Sequence, residues 1–335
     1  MLQLPELVQA LLNPEAYPDI PPRKIDLVQT QMSFVFLTDD YVYKIKKPVN
    51  LGYLDYTTLE KRLFFCQREV ELNQRLCPDD YLGVIPVTQN KDKITLNGKG
   101  NVIEYAVKMC RLPQSRMLDT LLIKNKVSPQ MIASVAKRLA EFHRQAETDE
   151  DISAFGSLET ISHNSGENFS QTIEYIGRTI SQASYRHIKD YSDSFIRANS
   201  SLFHKRVTDQ RIRDCHGDLH IAHICFTDNI CIYDCIEFND RFRYCDVAAE
   251  VAFLAMDLDH YDRADLSRNF VDAYISHSED TELTRLLNFY KCYRAYVRGK
   301  VEGFKLNDKY IPPAESAKAE DTARSYFELA ESYIE

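Results

Sequence analysis

The run Cys215-His216-Gly217-Asp218-Leu219-His220 sets a titratable cluster around a glycine, and sixteen residues after Asp218 a second carboxylate, Asp234, closes a short β-rich run. Between them Ile224-Cys225-Phe226, the turn Thr227-Asp228-Asn229 and Ile230-Cys231-Ile232-Tyr233 read as a hairpin that aims both ends the same way. Two carboxylates so placed suit phosphoryl transfer. One orients an attacking hydroxyl and accepts its proton, while the other holds the magnesium that bridges the nucleotide phosphates. On this reading Asp218 is the general base and Asp234 the metal ligand. The plainer alternative is a loop histidine and two capping aspartates, and the joint spacing of the two motifs favours the catalytic reading. Glu237, three residues after Asp234, could add a ligand or bind substrate, but in an unbroken strand it points opposite to Asp234, and it is read as structural.

The elements before the loop must supply the phosphate-binding charge. Gln31 to Leu37 and Tyr41 to Lys46, joined at Thr38-Asp39-Asp40, read as a β-hairpin in which Lys44 and Lys46 share one face and Tyr43 and Ile45 the other. Lys44 is the residue chosen to meet the α- and β-phosphates, because a strand holds a compact charge rigidly. Thr57-Thr58-Leu59-Glu60 is a capping box that opens a helix to about Leu76. Val84 to Val87, Lys93 to Leu96 and Val102 to Met109 add three strands, giving five in all, and Leu4, Leu7, Val8, Leu11 and Leu12 mark a short amphipathic helix ahead of them. From Ser128-Pro129 onward the spacing is helical, with a polar stretch over 149–168 read as a surface connection. Asp246 reads as the N-cap of an apolar helix, and residues 281 to 304 as a long helix whose Lys291, Arg294 and Arg298, with Lys305 beyond, follow a second face read as solvated; the alternative, a face lining the cleft, would disfavour polycationic antibiotics as substrates.

His216-Gly217-Asp218-Leu219-His220 followed by Asp234 resembles the catalytic loop and metal-binding aspartate of the aminoglycoside phosphotransferase and choline kinase group. Glu104 to Met109 and Asp234-Cys235-Ile236-Glu237-Phe238-Asn239-Asp240 look like the amino-terminal half of bifunctional aminoglycoside phosphotransferase/ATP-binding proteins, and the likeness runs from about Thr30 to about Lys300. The resemblance implies an α+β, two-lobed, protein-kinase-like fold: an antiparallel-sheet lobe over 1–109 and a larger, mainly helical lobe over 110–335. It also implies ATP with Mg²⁺, or Mn²⁺, as cofactors and a hydroxyl-bearing small molecule as acceptor. Glu69 then resembles the glutamate that pairs with the phosphate lysine, with Glu71 as the fallback. Thr30 and Ser33 occupy the place of the phosphate-covering loop, and Met109 and Arg111 the hinge whose backbone reads adenine. Asp246 corresponds to an aspartate that braces the catalytic loop. Two departures stand out. No G-x-x-x-x-G-K-[ST] occurs, so a second, P-loop activity is not expected. His223 stands where the family loop carries a metal-binding Asn.

The composition agrees with an ordinary globular enzyme. In 335 residues, 44% are apolar and 27% charged, with a net charge of −9 and a pI near 5.6, which speaks against nucleic acid or an anionic membrane as partner and favours cationic or neutral substrates. No leader or membrane-spanning stretch is expected, so the cytoplasm is the expected location. Nine cysteines without a C-x-x-C pair read as small buried hydrophobes of a reduced protein, Cys225, Cys231 and Cys235 among them. A catalytically silent nucleotide-binding protein is the competing functional class, and a protein kinase, lacking an A-P-E signature, a third.

Overall fold

The alternation across Phe34 to Lys46 is carried by an antiparallel sheet of six strands in the structure, a computed structural model that describes residues 5–307 and 311–334. Leu4 of the expected first helix lies outside those residues. The strands are β1 (Asp26–Gln29), β2 (Ser33–Leu37), β3 (Tyr41–Lys46), β4 (Tyr81–Asn90), β5 (Lys93–Leu96) and β6 (Asn101–Cys110), in the order β1-β2-β3-β6-β4-β5. The expected count of five is corrected by β1, which pairs with β2 from Asp26↔Leu37 to Gln29↔Phe34. It is short, lies at the sheet edge and buries no residue, so it carries no alternation to find.

Parity sorts β3. Tyr43 and Ile45 enter a core with Phe36, Val87, Ala106 and the buried Val8 and Leu11 of helix α1 (Glu6–Leu11), whereas Lys44 and Lys46 take the opposite face. That second face meets α2 (Leu59–Gln74), which starts where Thr58 Oγ1 accepts the Lys61 N–H at 3.3 Å.

The remaining helices are α3 (Leu118–Ile123), α4 (Pro129–Gln145), α5 (Glu150–Ala154), α6 (Leu158–Thr172), α7 (Gln182–Ala198), α8 (Ser200–Thr208), α9 (Asp240–Arg243), α10 (Val247–His260), α11 (Ala264–Ser278), α12 (Leu283–Phe304) and α13 (Pro313–Ser332). Three-residue strands β7 (Ile212–Asp214), β8 (Ile224–Phe226), β9 (Ile230–Ile232) and β10 (Tyr244–Asp246) pair as β8 with β9 and β7 with β10. The chain divides into two units. Met1–Leu121 with His223–Asp240 form the first, and Leu122–Ala222 with Arg241–Glu335 the second. The sheet unit thus runs past residue 109 and takes back the β8-β9 hairpin, which is tied to the end of α2 by Ile232 N–H to Leu76 O and by a Cys77–Cys231 disulfide. That bond corrects the reading of Cys231 as a free buried thiol.

In the second unit α10 is buried from Val247 through Leu258, as a helix apolar on all sides must be. Its Phe253 and Met256 pack with Phe169, Ile188, Tyr296 and Phe327. Two readings are corrected here. Residues 149–168 hold α5 and most of α6, each opened by a polar cap: Asp149 accepts from Ile152 N–H at 2.7 Å and Ser157 from Thr160 N–H at 3.2 Å. Their caps and polar faces had the composition of a loop. The basic face of α12 is not solvated, because Lys291 and Arg294 are buried and Arg298 is half-buried. Among the described residues no helix is long and apolar enough to cross a membrane.

Candidate active site

In the first unit the face of β3 turned toward α2 ends on a cluster of five charges. Glu69, fully buried on α2, places Oε2 2.7 Å from Lys46 Nζ and Oε1 2.9 Å from Lys44 Nζ, the latter without the alignment of a hydrogen bond. Lys44 donates instead to Asp234 Oδ1 at 2.8 Å. Lys46 also donates to Glu237 Oε1, whose carboxylate accepts the Tyr56 hydroxyl at 2.7 Å. Sequence parity correctly sends both lysines to one face. The fallback Glu71 is exposed and pairs with Arg68.

The placement of Glu237 corrects the sequence reading. Strand β9 stops at Ile232, and Asp234 lies in the left-handed region at φ 63°, a conformation that aspartate tolerates better than most residues. The chain therefore turns after Asp234, and Asp234 and Glu237 converge on the lysine pair. Asp234 is held there by its N–H to the Tyr81 hydroxyl at 3.4 Å, and Cys235 N–H reaches Asn73 Oδ1 of α2 at 2.9 Å.

Charge follows from this geometry. Burial works against each charge, yet the surrounding carboxylates more than offset it for Lys44 and Lys46, which are held protonated well above the lysine range. For Glu69 burial is likewise outweighed by the two lysines, and its pKa is lowered. Two lysines against Glu69, Glu237 and Asp234 leave one negative charge over. Asp234, 42% exposed, is the only one of the five open enough to present it to a ligand. His223 Nε2 lies 3.6 Å from Asp234 Oδ2, so the donor set here is one carboxylate and one imidazole. That set fits a divalent cation that accepts nitrogen as well as oxygen.

The other expected nucleotide contacts are placed as follows. Ser33 is fully buried with its Oγ unpartnered, and Thr30 Oγ1 accepts the Met32 and Ser33 N–H groups, so the Thr30 hydroxyl faces into its own turn. Met109, one residue before the end of β6, is paired between Val42 and Tyr81. The Cys110 and Arg111 N–H groups go to the carbonyls of Asp80 and Asp40, and the Arg111 guanidinium to Thr38 O.

In the second unit the Asp218 loop is suspended from a carboxylate that sequence reasoning missed. Glu250, in the first turn of α10 and fully buried, accepts the N–H of His216 at 2.8 Å and of Gly217 at 2.6 Å. Gly217 sits at φ 88°, where a side chain would be strained, and so turns its N–H toward that carboxylate. His143 of α4 bonds Glu250 through Nε2 at 2.7 Å and the Tyr274 hydroxyl of α11 through Nδ1 at 2.7 Å. Burial alone would raise the Glu250 pKa, but His143, His216 and the Gly217 N–H bring it down to about 2. A lone glutamate in Val247-Ala248-Ala249-Glu250-Val251-Ala252-Phe253 was the available signal, since a charge in so apolar a helix must be paired.

Further round the loop, Asp257 accepts Ile221 N–H at 2.9 Å. Asp218 itself is a third exposed, with His220 Nε2 3.6 Å from Oδ2. Asp246 caps α10 as expected, accepting Ala248 N–H at 2.8 Å, but its carboxylate is otherwise taken by the buried Arg206, which also bonds Asp280. The expected loop-bracing role falls to Glu250 instead.

Fold and site together define the class: an α+β protein of the kinase-like fold, with a lysine, glutamate and aspartate cluster in its sheet unit and a suspended aspartate loop in its helical unit. Solved structures share that fold. The GDP complex of aminoglycoside 2'-phosphotransferase-IIIa aligns with a TM-score of 0.55 at 13% identity, covering 97% of this chain and 99% of that one. A choline/ethanolamine kinase family protein from Mesorhizobium loti aligns at 0.51 and 11%, covering 92% of each chain. An amicoumacin kinase in complex with AMP-PNP, Ca²⁺ and Ami aligns at 0.51 and 10%, covering 96% and 91%. No family model matches the sequence. Uncharacterized proteins of Mycobacterium tuberculosis and Mycobacterium bovis are 32% identical over 289 residues, 86% of this chain and 56% of theirs. The chain therefore spans about half the length of the curated relatives it matches.

Proposed function

We propose that the protein is a phosphotransferase that moves the γ-phosphate of ATP to a hydroxyl of a small molecule. The observation that carries the reading is the Lys44, Glu69 and Asp234 arrangement: a strand lysine held by a buried helix glutamate and bonded to the carboxylate sixteen residues after Asp218. Structural neighbours that are kinases and bind GDP or AMP-PNP support it at the level of fold.

In this reading Lys44 steadies the nucleotide phosphates and Glu69 holds Lys44 on its strand. The backbone of Met109 to Leu112 receives the base, with Arg111 anchoring that segment, and the turn of Thr30 and Ser33 covers the phosphates after opening. Asp234 and His223 hold a divalent cation, which supplies charge neutralisation for the phosphates. Asp218 accepts the proton of the acceptor hydroxyl, at an oxygen aimed by a loop whose N–H groups are fixed on Glu250. The test is ADP release from ATP with Mg²⁺ or Mn²⁺ across a panel of hydroxylated metabolites. Release that depends on an added hydroxyl compound is expected. Nucleotide binding without turnover on any member would instead favour a silent nucleotide-binding protein.

A further inference from the structure

The cations along α12 end differently. Lys291 is matched, with Nζ 2.8 Å from Asp259 Oδ2 and 3.0 Å from Ser267 Oγ. Arg294 is buried with no carboxylate within 4.0 Å among the described residues. It donates to the main-chain oxygens of Ala249 at 3.2 Å and Gly217 at 3.4 Å, and its guanidinium lies 4.8 Å from the Phe253 ring centre. Arg298, half-buried, also has no carboxylate within 4.0 Å among the described residues, and its Nε is buried without a hydrogen-bond partner among them. Exposed arginines need no partner; arginines withdrawn from water are ordinarily paired.

A short chain of contacts ties Arg298 to the Asp218 loop. Its guanidinium stands 5.5 Å from the Tyr326 ring centre, the Tyr326 hydroxyl donates to Asp257 Oδ1 at 3.1 Å, and Asp257 Oδ2 accepts the N–H of Ile221, three residues after Asp218. Burial opposes the charge on Arg298, but Tyr326, Asp218 and Asp257 more than offset it, which puts Asp218 within its electrostatic reach. All of these groups belong to the second unit. A cationic acceptor brought to Asp218 would meet two guanidiniums of like charge. An anionic one would meet a planar fork of donors suited to carboxylate or phosphate oxygens.

Resting on the phosphotransferase reading, we propose that Arg298, with the fixed charge of Arg294 behind it, binds a carboxylate or phosphate group of the acceptor, so that the substrate is a hydroxylated small anion. The chain's overall charge of −9 points the other way. The field at the reacting carboxylate, and not the total charge, selects the acceptor.

The experiment offers hydroxyl acceptors that differ in charge: glycerate, glyceramide, the matching amino alcohol and glycerol phosphate. The enzymes are the wild type, Arg298→Gln and Arg298→Lys. An anionic acceptor should be preferred in kcat/KM over amide and amine by about tenfold or more. Arg298→Gln should lower kcat/KM for that anion about tenfold more than for the amide, through acceptor KM, and Arg298→Lys should recover part of the loss. The carboxylate and phosphate arms identify which group is bound. Preference for the amine or amide, or an Arg298→Gln loss equal across all acceptors, overturns the proposal, the latter because Arg298 would then act on Asp218 alone. A second readout is independent of turnover: calorimetric binding of glycerate and glycerol phosphate to wild type and Arg298→Gln without nucleotide. Anion binding that needs Arg298, without ATP turnover, defeats the phosphotransferase reading and leaves the anion site standing. No anion binding, or binding unchanged in Arg298→Gln, defeats the anion site.

Discussion

Lys46 offers a sharp test of the charge cluster, because its side chain is only 1% exposed and touches two carboxylates. Lys46→Met keeps the length of the stem and removes the charge. Glu69 would retain Lys44 at 2.9 Å, but Glu237 would be left buried with the Tyr56 hydroxyl as its remaining hydrogen-bond donor in the cluster. Breaking a buried ion pair from one side costs about 3–5 kcal/mol, since the surviving charge is uncompensated. Lys44→Met should cost less, about 1–2 kcal/mol, because Glu69 keeps Lys46 and the half-exposed Asp234 can turn to water. The double variant Lys46→Met/Glu237→Gln removes both charges and should be more stable than the two single losses added together, by about 1–3 kcal/mol. Urea unfolding followed by tyrosine fluorescence suits a chain with 20 Tyr and no Trp. The order is reversed for function, with Lys44→Met weakening nucleotide binding more. A Lys46→Met variant within about 1 kcal/mol of wild type would refute the reasoning, since that cost is expected only of a solvated lysine.

Glu250→Gln tests the loop suspension through pH. The native pKa of Glu250 is depressed from its ordinary 4.5 to about 2, so its stabilising contribution is present above the unfolded value and is lost as pH falls through the folded one. The stability gap between wild type and Glu250→Gln should be widest near neutrality and should close as pH falls from about 5 to about 2; a gap independent of pH would contradict it. His223→Asn replaces an imidazole with a hard oxygen ligand, so turnover should move from Mn²⁺ toward Mg²⁺. Unchanged metal preference would mean that His223 lies beside the site without binding the ion.

What could be read from the sequence follows physical range. The family resemblance nominated Glu69, whereas strand parity put Lys44 and Lys46 on one face and the capping box placed the start of α2. Parity and capping are short-range signals. Glu237 was misread because parity assumes an unbroken strand, and the left-handed residue at Asp234 breaks it. Lys291, Arg294 and Arg298 were misread because charge periodicity along a helix is the same whether the face meets water or a second layer of helices. The Cys77–Cys231 bond joins residues 154 apart, and no local pattern carries such a pairing.

The central claim rests on Asp218 as the group that takes the acceptor's proton. Its most direct measurement compares ADP release and nucleotide affinity in wild type and Asp218→Asn, with whichever hydroxyl acceptor the panel identifies. The amide keeps the size of the side chain and cannot accept the proton, so kcat should fall by about 10²-fold or more while nucleotide affinity stays within about twofold. An Asp218→Asn enzyme that turns over at the wild-type rate would show that the proton goes elsewhere, and the assignment of this loop would fail with it.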